Sequence, residues 1–202
     1  MSLRLERVIF LVDGSGSMEP AWDAAWRKLF EYVHTNPVGS YVLLAFKWQD
    51  LPGVSQELAN HVVARYGNAV VLSVSRYLAE KAAKTGQFYI RRTPTPDEVG
   101  LAFRGKTPLN DAIIAVLDLL DRFDTYVPCR IVVVSDNRDN WSQARMRDVM
   151  MTKRRCRWLK SLEWLPVGDV LLRYLDIYDN ATEAVNQIAM RRGYTRADML
   201  FI

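Results

Sequence analysis

A carboxylate and two hydroxyls alternate near the N-terminus, in the run Asp13-Gly14-Ser15-Gly16-Ser17. The glycines between them let the backbone turn sharply, which brings the three side chains to one side of a tight loop. Oxygen donors without nitrogen or sulfur are the ligands that a hard cation such as Mg²⁺ prefers. We therefore predict that Asp13, Ser15 and Ser17 bind a divalent cation.

Two other interpretations of this loop are weaker. Ser17 could simply cap the helix that follows, since serine is a favoured N-cap residue. The loop could instead hold a phosphate, but the sequence lacks the G-x-x-x-x-G-K-[ST] pattern and has no lysine at the helix start. A D-x-S-x-S run directly after an apolar strand is uncommon, so we favour the metal.

Two later positions carry further candidate ligands. Thr107 precedes a strongly periodic helix, where it would act as an N-cap or point its hydroxyl at an adjacent cation. Asp136 follows the apolar run 131–134, and open α/β folds bind ligands at the carboxyl ends of such strands. The other interpretation of Asp136 is a loop residue that caps a turn. Asp139 is the alternative ligand if the strand ends later.

The elements that must position these side chains alternate along the chain. Near-continuous apolar strands are separated by amphipathic helices, which predicts an α/β fold with a doubly wound, Rossmann-like, mostly parallel sheet flanked by helices. We expect the strands at 8–12 and 131–134 to be parallel neighbours. The predicted strands are 7–13, 41–47, 130–136, 170–178 and a short 199–202, and the predicted helices are 20–35, one opened by Thr107, 141–162 and 181–192.

The segment 48–103 has the weakest pattern. We expect a helical insertion around 51–86, with one helix from Ser55 toward Tyr66. Residues 70–84 fit helical spacing, although 70–72 would also suit a strand, and we favour the helix. A short edge strand at 88–90 and a helix opened by Thr95 complete this segment.

Composition indicates one ordinary globular domain over 1–202, since the chain is 50% hydrophobic and 25% charged. No apolar run approaches the roughly 18 residues of a membrane span, and the N-terminus does not resemble a signal peptide. Cys129 and Cys156 have no cysteine or histidine at metal-ligand spacing. They predict reduced thiols, and these features together predict a cytoplasmic protein.

The combination Asp13-x-Ser15-x-Ser17, Thr107 and Asp136 resembles the metal-ion-dependent adhesion site of von Willebrand factor A (vWA) domains, and the resemblance covers nearly the whole chain. It implies that the two serines and the threonine coordinate Mg²⁺ directly or through water. The two aspartates would mostly hold coordinated waters, and an Asp or Glu of a protein partner would fill the open position. Mn²⁺ and Ca²⁺ are the alternative metals.

A narrower resemblance concerns the run S-D-N-R-D-N-W at 135–141. It is similar to the T-D-N-E-x-W run in the A domain of Ro-type ribonucleoproteins, and 175–182 resembles their fifth strand and its exit. The helical-repeat RNA-binding ring of that family is absent from this sequence. The resemblance therefore does not carry RNA binding over to this chain.

A concentration of positive charge lies between 138 and 160, where eight Lys and Arg residues stand against two Asp. Positions 153, 154, 157 and 160 share one face of the predicted helix. The simplest interpretation is a solvated helix face with cations near its C-terminus. An acidic protein or a nucleic-acid backbone is the alternative, which makes Arg154 and Arg157 candidate partner-binding residues. Lys106 is a third candidate, because together with the helix N-terminus after Thr107 it would add positive potential beside the metal.

We expect a Mg²⁺-dependent protein-binding module in an intracellular assembly, with no membrane partner. The alternative is a ribonucleoprotein or nucleic-acid-associated component that uses the basic helix 145–160. We do not expect an enzyme, because a phosphohydrolase would need a D-x-D pair or a histidine base, and His34 and His61 are not placed for that role.

Overall fold

The computed structural model describes residues 6–36, 40–47, 71–74, 95–96, 103, 105–122 and 127–192. Within these residues the strands are β1 (Arg7–Asp13), β2 (Ser40–Lys47), β3 (Val71–Val74), β4 (Cys129–Ser135) and β5 (Leu159–Pro166). The α-helices are α1 (Trp22–Thr35), α2 (Leu109–Arg122), α3 (Met146–Arg155) and α4 (Ala181–Arg192), and Gly16–Ala21 and Leu175–Ile177 form 3₁₀ helices.

The strands form one sheet in the order β3-β2-β1-β4-β5. Strand β1 lies parallel to β2 and to β4, β4 lies parallel to β5, and β3 joins the far edge antiparallel to β2. Val8 stands opposite Arg130 and Val12 opposite Val134, so the predicted neighbouring parallel strands are confirmed. The protein therefore has a mixed α/β fold.

Helices cover both faces of this sheet. Val8, Phe10 and Val12 pack against α1, whereas Ile9 and Leu11 pack into a second core with α2, α3 and α4. Alternate residues of β1 are thus buried on opposite faces, which explains why every position from Val8 to Val12 is apolar. Of the described residues, no helix is long and apolar enough to cross a membrane.

The buried face of α1 is the apolar stripe that its sequence shows. Trp22, Ala25, Trp26 and Leu29 are buried at helical spacing on the side that faces the sheet. The helix ends at Thr35, as predicted, and its last turn carries exposed His34. Cys129 and Cys156 are both buried and neither forms a disulfide, which confirms the predicted reduced thiols.

The predicted helix over 141–162 is wrong outside α3. The observed helix α3 begins at Met146 and ends at Arg155, and strand β5 follows at Leu159–Pro166. Burial alternates along β5, with Leu162, Trp164 and Pro166 inside, and this period of two is typical of a strand. The basic helix 145–160 is therefore shorter than expected, and Arg157 and Lys160 lie outside it.

The predicted strand over 170–178 is also wrong. This segment contains the 3₁₀ helix Leu175–Ile177 and pairs with no strand among the described residues. The place beside β4 is taken by β5, whose outer edge is covered by the chain at 179–180. Asp179 Oδ2 accepts the Leu162 N–H at 2.8 Å, and Asn180 bonds both the N–H and the carbonyl of Trp164.

One expectation in the middle of the chain is likewise reversed, since Val71–Val74 is strand β3 and not part of a helix. Strand β3 pairs antiparallel with β2. A short apolar run does not by itself indicate such a partner strand, so the sequence pattern could not predict this pairing. The rest of the expected helical insertion around 51–86 and the strands at 88–90 and 199–202 lie outside the described residues. Of the helix opened by Thr95, only Thr95 and Pro96 are described.

Candidate metal centre

The 13–17 loop brings its predicted ligands together. Asp13 Oδ1 accepts the Ser15 N–H at 2.9 Å, and the Ser15 and Ser17 hydroxyl oxygens lie 3.2 Å apart. The Gly14 N–H donates to the Phe46 carbonyl at 2.8 Å, which ties the loop to the end of β2. Ser17 lies inside the 3₁₀ helix instead of capping it, so the capping interpretation is wrong.

Asp13 is a fully buried carboxylate at the end of β1. Its Oδ2 accepts the Ser135 hydroxyl at 2.7 Å, which joins β1 to the end of β4. Burial raises the pKa of Asp13 to about 6, and the negative charge of Asp136 acts in the same direction, while the hydrogen bonds from Ser15 and Ser135 oppose the rise. The two buried carboxylates therefore repel each other across this edge of the sheet.

Asp136 follows β4 and is almost completely buried. Its Oδ1 accepts the Arg138 N–H at 3.1 Å, and the Arg138 Nε lies 3.3 Å from Oδ2. The guanidinium also pairs with Asp169 at 2.6 Å. Arg138 thus partly neutralises Asp136, and it competes with any cation for that carboxylate.

The turn after Asp136 is held by Asn137, which has a positive φ of 61°. Its N–H donates to the Ser135 hydroxyl at 3.0 Å, and its side-chain oxygen accepts the Tyr178 hydroxyl at 3.0 Å. Gly168, with φ of 74°, approaches from the other side, where a Cβ would lie 3.3 Å from Ala21 and 3.8 Å from Asp136. Close packing therefore fixes where Asp136 sits relative to the first loop.

Thr107 is buried and joined to the chain that follows Asp136. Its N–H donates to Asn140 Oδ1 at 2.8 Å, and its carbonyl accepts the Asn140 N–H at 3.2 Å. The first backbone bond of α2 runs from the Ala112 N–H to the Pro108 carbonyl, so Thr107 precedes the N-cap. The expectation that Thr107 caps α2 is wrong, because neighbouring residues from another loop supply the caps.

Those caps come from the 139–144 segment, which we call the clasp. Asp139 Oδ2 accepts the Asn110 N–H at 3.2 Å, and the Ser142 hydroxyl accepts the Asp111 N–H at 3.1 Å. Asp139 Oδ1 also accepts N–H bonds from within the clasp. Asp139, the alternative metal ligand, is thus engaged as a helix cap.

Asp111 completes this arrangement, although sequence reasoning missed it. Its carboxylate is fully buried and accepts the N–H groups of Gln143 at 2.9 Å and Ala144 at 2.8 Å. Burial raises its pKa, and these two bonds oppose the rise. A lone aspartate inside the apolar stripe of α2 was the available signal, but its partners lie 32 and 33 positions away.

The three candidate partner-binding residues occupy different surroundings. Lys106 is exposed, and its Nζ lies 3.4 Å from the centre of the Trp141 ring, beside the clasp. Arg154 is exposed in the last turn of α3, and Arg157 is exposed after that helix. No hydrogen bond between described residues connects either arginine to the candidate ligands.

The donor chemistry of this cluster fits a hard divalent cation. Two buried carboxylates and the hydroxyls of Ser15 and Ser17 gather at one sheet edge, with Thr107 tied to the same loop system. A cation would favour the ionised form of Asp13, and so oppose both the burial and the Asp136 charge that raise its pKa. Among the described residues, no three or more His, Cys, Asp or Glu side chains are grouped so that they could hold a metal ion.

A scan of protein-family models finds no match to this sequence, and a search of curated proteins finds none either.

Proposed function

We propose that this protein is a vWA-like domain that binds Mg²⁺ and, through it, an acidic side chain of a protein partner. The proposed ligands are Asp13, Ser15, Ser17, Thr107 and Asp136. The observation that carries the proposal is the hydrogen-bonded cluster of Asp13, Ser15 and Ser17 at the carboxyl end of β1, next to Asp136.

The sheet supports the finer part of this proposal. Four parallel strands with helices on both faces and an antiparallel edge are compatible with a doubly wound, Rossmann-like vWA fold. Asp13 ends β1, Ser15 and Ser17 follow it, and Asp136 directly follows β4, which is adjacent to β1. Adjacent strand ends are where an open α/β sheet binds its ligands.

The ligand set explains why an acidic partner would be favoured. Three neutral hydroxyls and two carboxylates leave Mg²⁺ incompletely neutralised if the aspartates act through water, so an incoming Asp or Glu gains a direct bond and displaces only water. The exposed ammonium group of Lys106 adds positive potential nearby. Mn²⁺ or Ca²⁺ would be held by the same oxygen ligands. In this proposal the domain performs no catalysis.

We place this module in the cytoplasm, as one part of a larger assembly. Cys129 and Cys156 are buried outside any disulfide, which supports a reducing compartment, where disulfides are rare.

Calorimetric titration with MgCl₂ tests the proposal. Wild-type protein should bind one equivalent, and Asp13→Ala should lose detectable binding because a buried carboxylate of the site is removed. Asp23→Ala, at an exposed position of α1, is the matched control and should bind as wild type does. Equal binding by wild type and Asp13→Ala would contradict the proposed site.

The nucleic-acid alternative rests on the positive charge of positions 153, 154, 157 and 160, and ion pairs in the structure reduce that charge. Lys153 pairs with Asp179 at 2.6 Å, and Lys160 pairs with Glu6 at 3.1 Å, so two of the four cations in the expected face are neutralised. Reversing Arg154 and Arg157 to glutamate should leave partner binding nearly unchanged. Loss of binding in that double variant, with no effect of EDTA, would favour the nucleic-acid function.

A further inference from the structure

A groove of about 820 Å³ opens beside the candidate metal centre. One wall is the clasp and the start of α3, and the opposite wall is the 171–174 segment. The floor includes Asn137, which follows the candidate ligand Asp136 directly. The side chains that matter for its chemistry are Trp141, Arg145, Arg147, Leu171, Arg173 and Tyr174.

Both walls are fixed to the loop that carries Asp136. The Leu171 N–H donates to the Asp136 carbonyl at 2.8 Å, and the Asn137 side chain donates to the carbonyls of Leu171 and Arg173 at 2.9 and 2.8 Å. The clasp, which forms the other wall, is joined to Thr107 by the two hydrogen bonds of Asn140. The groove is therefore a built extension of the candidate metal centre and shares its supports.

The charge in the groove is one-sided. Arg145, Arg147 and Arg173 are exposed along its walls, and Arg147 forms an exposed ion pair at 3.6 Å with Asp148, which is not part of the lining. Asp139 is the only acidic residue of the lining, and its two oxygens already accept backbone N–H groups. The arginines of the walls outnumber this one hydrogen-bonded carboxylate, so the groove is electrostatically complementary to an anionic ligand.

The groove also presents apolar surface. Tyr174 is 67% exposed, Trp141 40% and Leu171 37%, and these are among the most exposed large apolar side chains of the described residues. Tyr174 has a positive φ of 56°, in the left-handed region that side chains rarely adopt. Aromatic and arginine side chains together are typical of the central contacts of protein interfaces.

We propose that this groove binds an extended acidic segment of the protein partner, with aromatic or aliphatic residues between its carboxylates. The inference rests on the proposed function, because one carboxylate of the same segment would reach the metal. A single-stranded nucleic acid is the competing ligand, since bases also stack on aromatic rings. The peptide is favoured because Lys106 already covers one face of Trp141. It is also favoured because Asn137 and Asn140 of the lining adjoin the candidate ligands, Asn137 by following Asp136 and Asn140 by its bond to Thr107.

The test uses a short fluorescein-labelled peptide that alternates Glu or Asp with Leu or Tyr, followed by fluorescence anisotropy in MgCl₂. The same peptide with Gln and Asn in place of the acids is the matched probe, and oligo(dT) is the competitor. Arg147→Glu/Arg173→Glu should weaken peptide binding by about tenfold, because two cations of the walls are reversed. Arg154→Glu/Arg157→Glu, which reverses two exposed arginines outside the groove, should change it by less than about twofold.

EDTA separates this inference from the proposed function. If the groove variant and EDTA both weaken binding, both proposals are supported. If only the groove variant weakens it, the groove inference stands and the metal-dependent function fails. If only EDTA weakens it, the groove inference is overturned while the function stands.

Three further results would overturn the groove inference. These are absence of saturable peptide binding, equal binding of the neutral peptide, and displacement of the acidic peptide by oligo(dT) at lower concentration than by the unlabelled acidic peptide.

Discussion

Within the 13–17 loop, hydrogen bonds connect Asp13, Ser15 and Ser17 over steps of only two positions. Two further bonds, from Ser135 to Asp13 and from Gly14 to Phe46, attach this loop to the neighbouring strands. Thr107 and the loop after Asp136 are instead joined by bonds that span 29 to 33 positions, between α2 and the clasp. The candidate ligands thus come from one locally organised loop and one long-range assembly. A substitution in the first should act mainly on the metal, whereas one in the second should also lower stability.

The largest expected effect concerns the buried carboxylate of the first loop. The folded protein holds the Asp13 proton more tightly than the unfolded chain, since burial raises its pKa from 3.8 to about 6. The contribution of Asp13 to the free energy of unfolding is therefore fully present at low pH and is lost as the pH rises through about 6. In EDTA, the free energy of unfolding should fall by about 3 kcal/mol between about pH 4 and pH 7 because of this group.

Urea denaturation of wild type and Asp13→Asn across this pH range isolates the effect, because the amide does not titrate. The difference between the two profiles should show the fall, and saturating MgCl₂ should reduce it by favouring the ionised carboxylate. Parallel profiles of the two proteins in EDTA would show that Asp13 does not cause the fall in stability with rising pH.

Asp111→Ala should break the long-range assembly. The N–H groups of Gln143 and Ala144 would lose a charged acceptor, and the free energy of unfolding should fall by about 2–3 kcal/mol. Urea denaturation measures this, with Asp121→Ala, an exposed position on the same helix, as a control that should stay within about 0.5 kcal/mol of wild type. An unchanged midpoint for Asp111→Ala would mean that the clasp does not hold the second region.

Asn140→Ala tests whether that assembly also serves the metal. Removing the acceptor of the Thr107 N–H should weaken Mg²⁺ binding by about tenfold, as loss of supporting hydrogen bonds commonly does. Calorimetry provides the measurement. Gln143→Ala lies in the same clasp and keeps its backbone bond to Asp111, so its Mg²⁺ affinity should match wild type. Equal affinities for all three proteins would separate the clasp from the metal centre.

The smallest expected effect has the opposite sign. Arg138→Ala should tighten Mg²⁺ binding by about two- to fivefold, because a half-exposed guanidinium no longer competes for Asp136. Arg147→Ala, which removes an exposed ion pair with Asp148, is the control and should leave calorimetric affinity unchanged. Weaker binding by Arg138→Ala would indicate that the guanidinium supports Asp136 in the metal-binding arrangement.

The centre of the fold was predictable because its pattern is local. Near-continuous apolar runs identified β1 and β4, and an apolar stripe identified α1. Burial on both faces makes every position of such a strand apolar, so neighbouring residues alone carry the signal. Their parallel pairing then followed from the alternation of strands and helices.

The edge of the fold was not predictable in this way. Both 159–166 and 170–178 have enough apolar residues for a strand, and only one can lie beside β4. Strand β5 occupies that place, backed by Asp179 and Asn180. Which segment pairs depends on competition within the folded chain, so local propensity decided neither case.

By itself, the sequence determined that the first loop and Asp136 lie at the ends of buried strands, because an apolar strand followed by polar residues is recognised from adjacent positions alone. Only the tertiary structure decided that Asn140 holds Thr107, that Asp139 caps α2, and that Asp111 secures the clasp. These hydrogen bonds join residues about thirty positions apart, and their pairing exists only once β4 has brought its following loop to the start of α2.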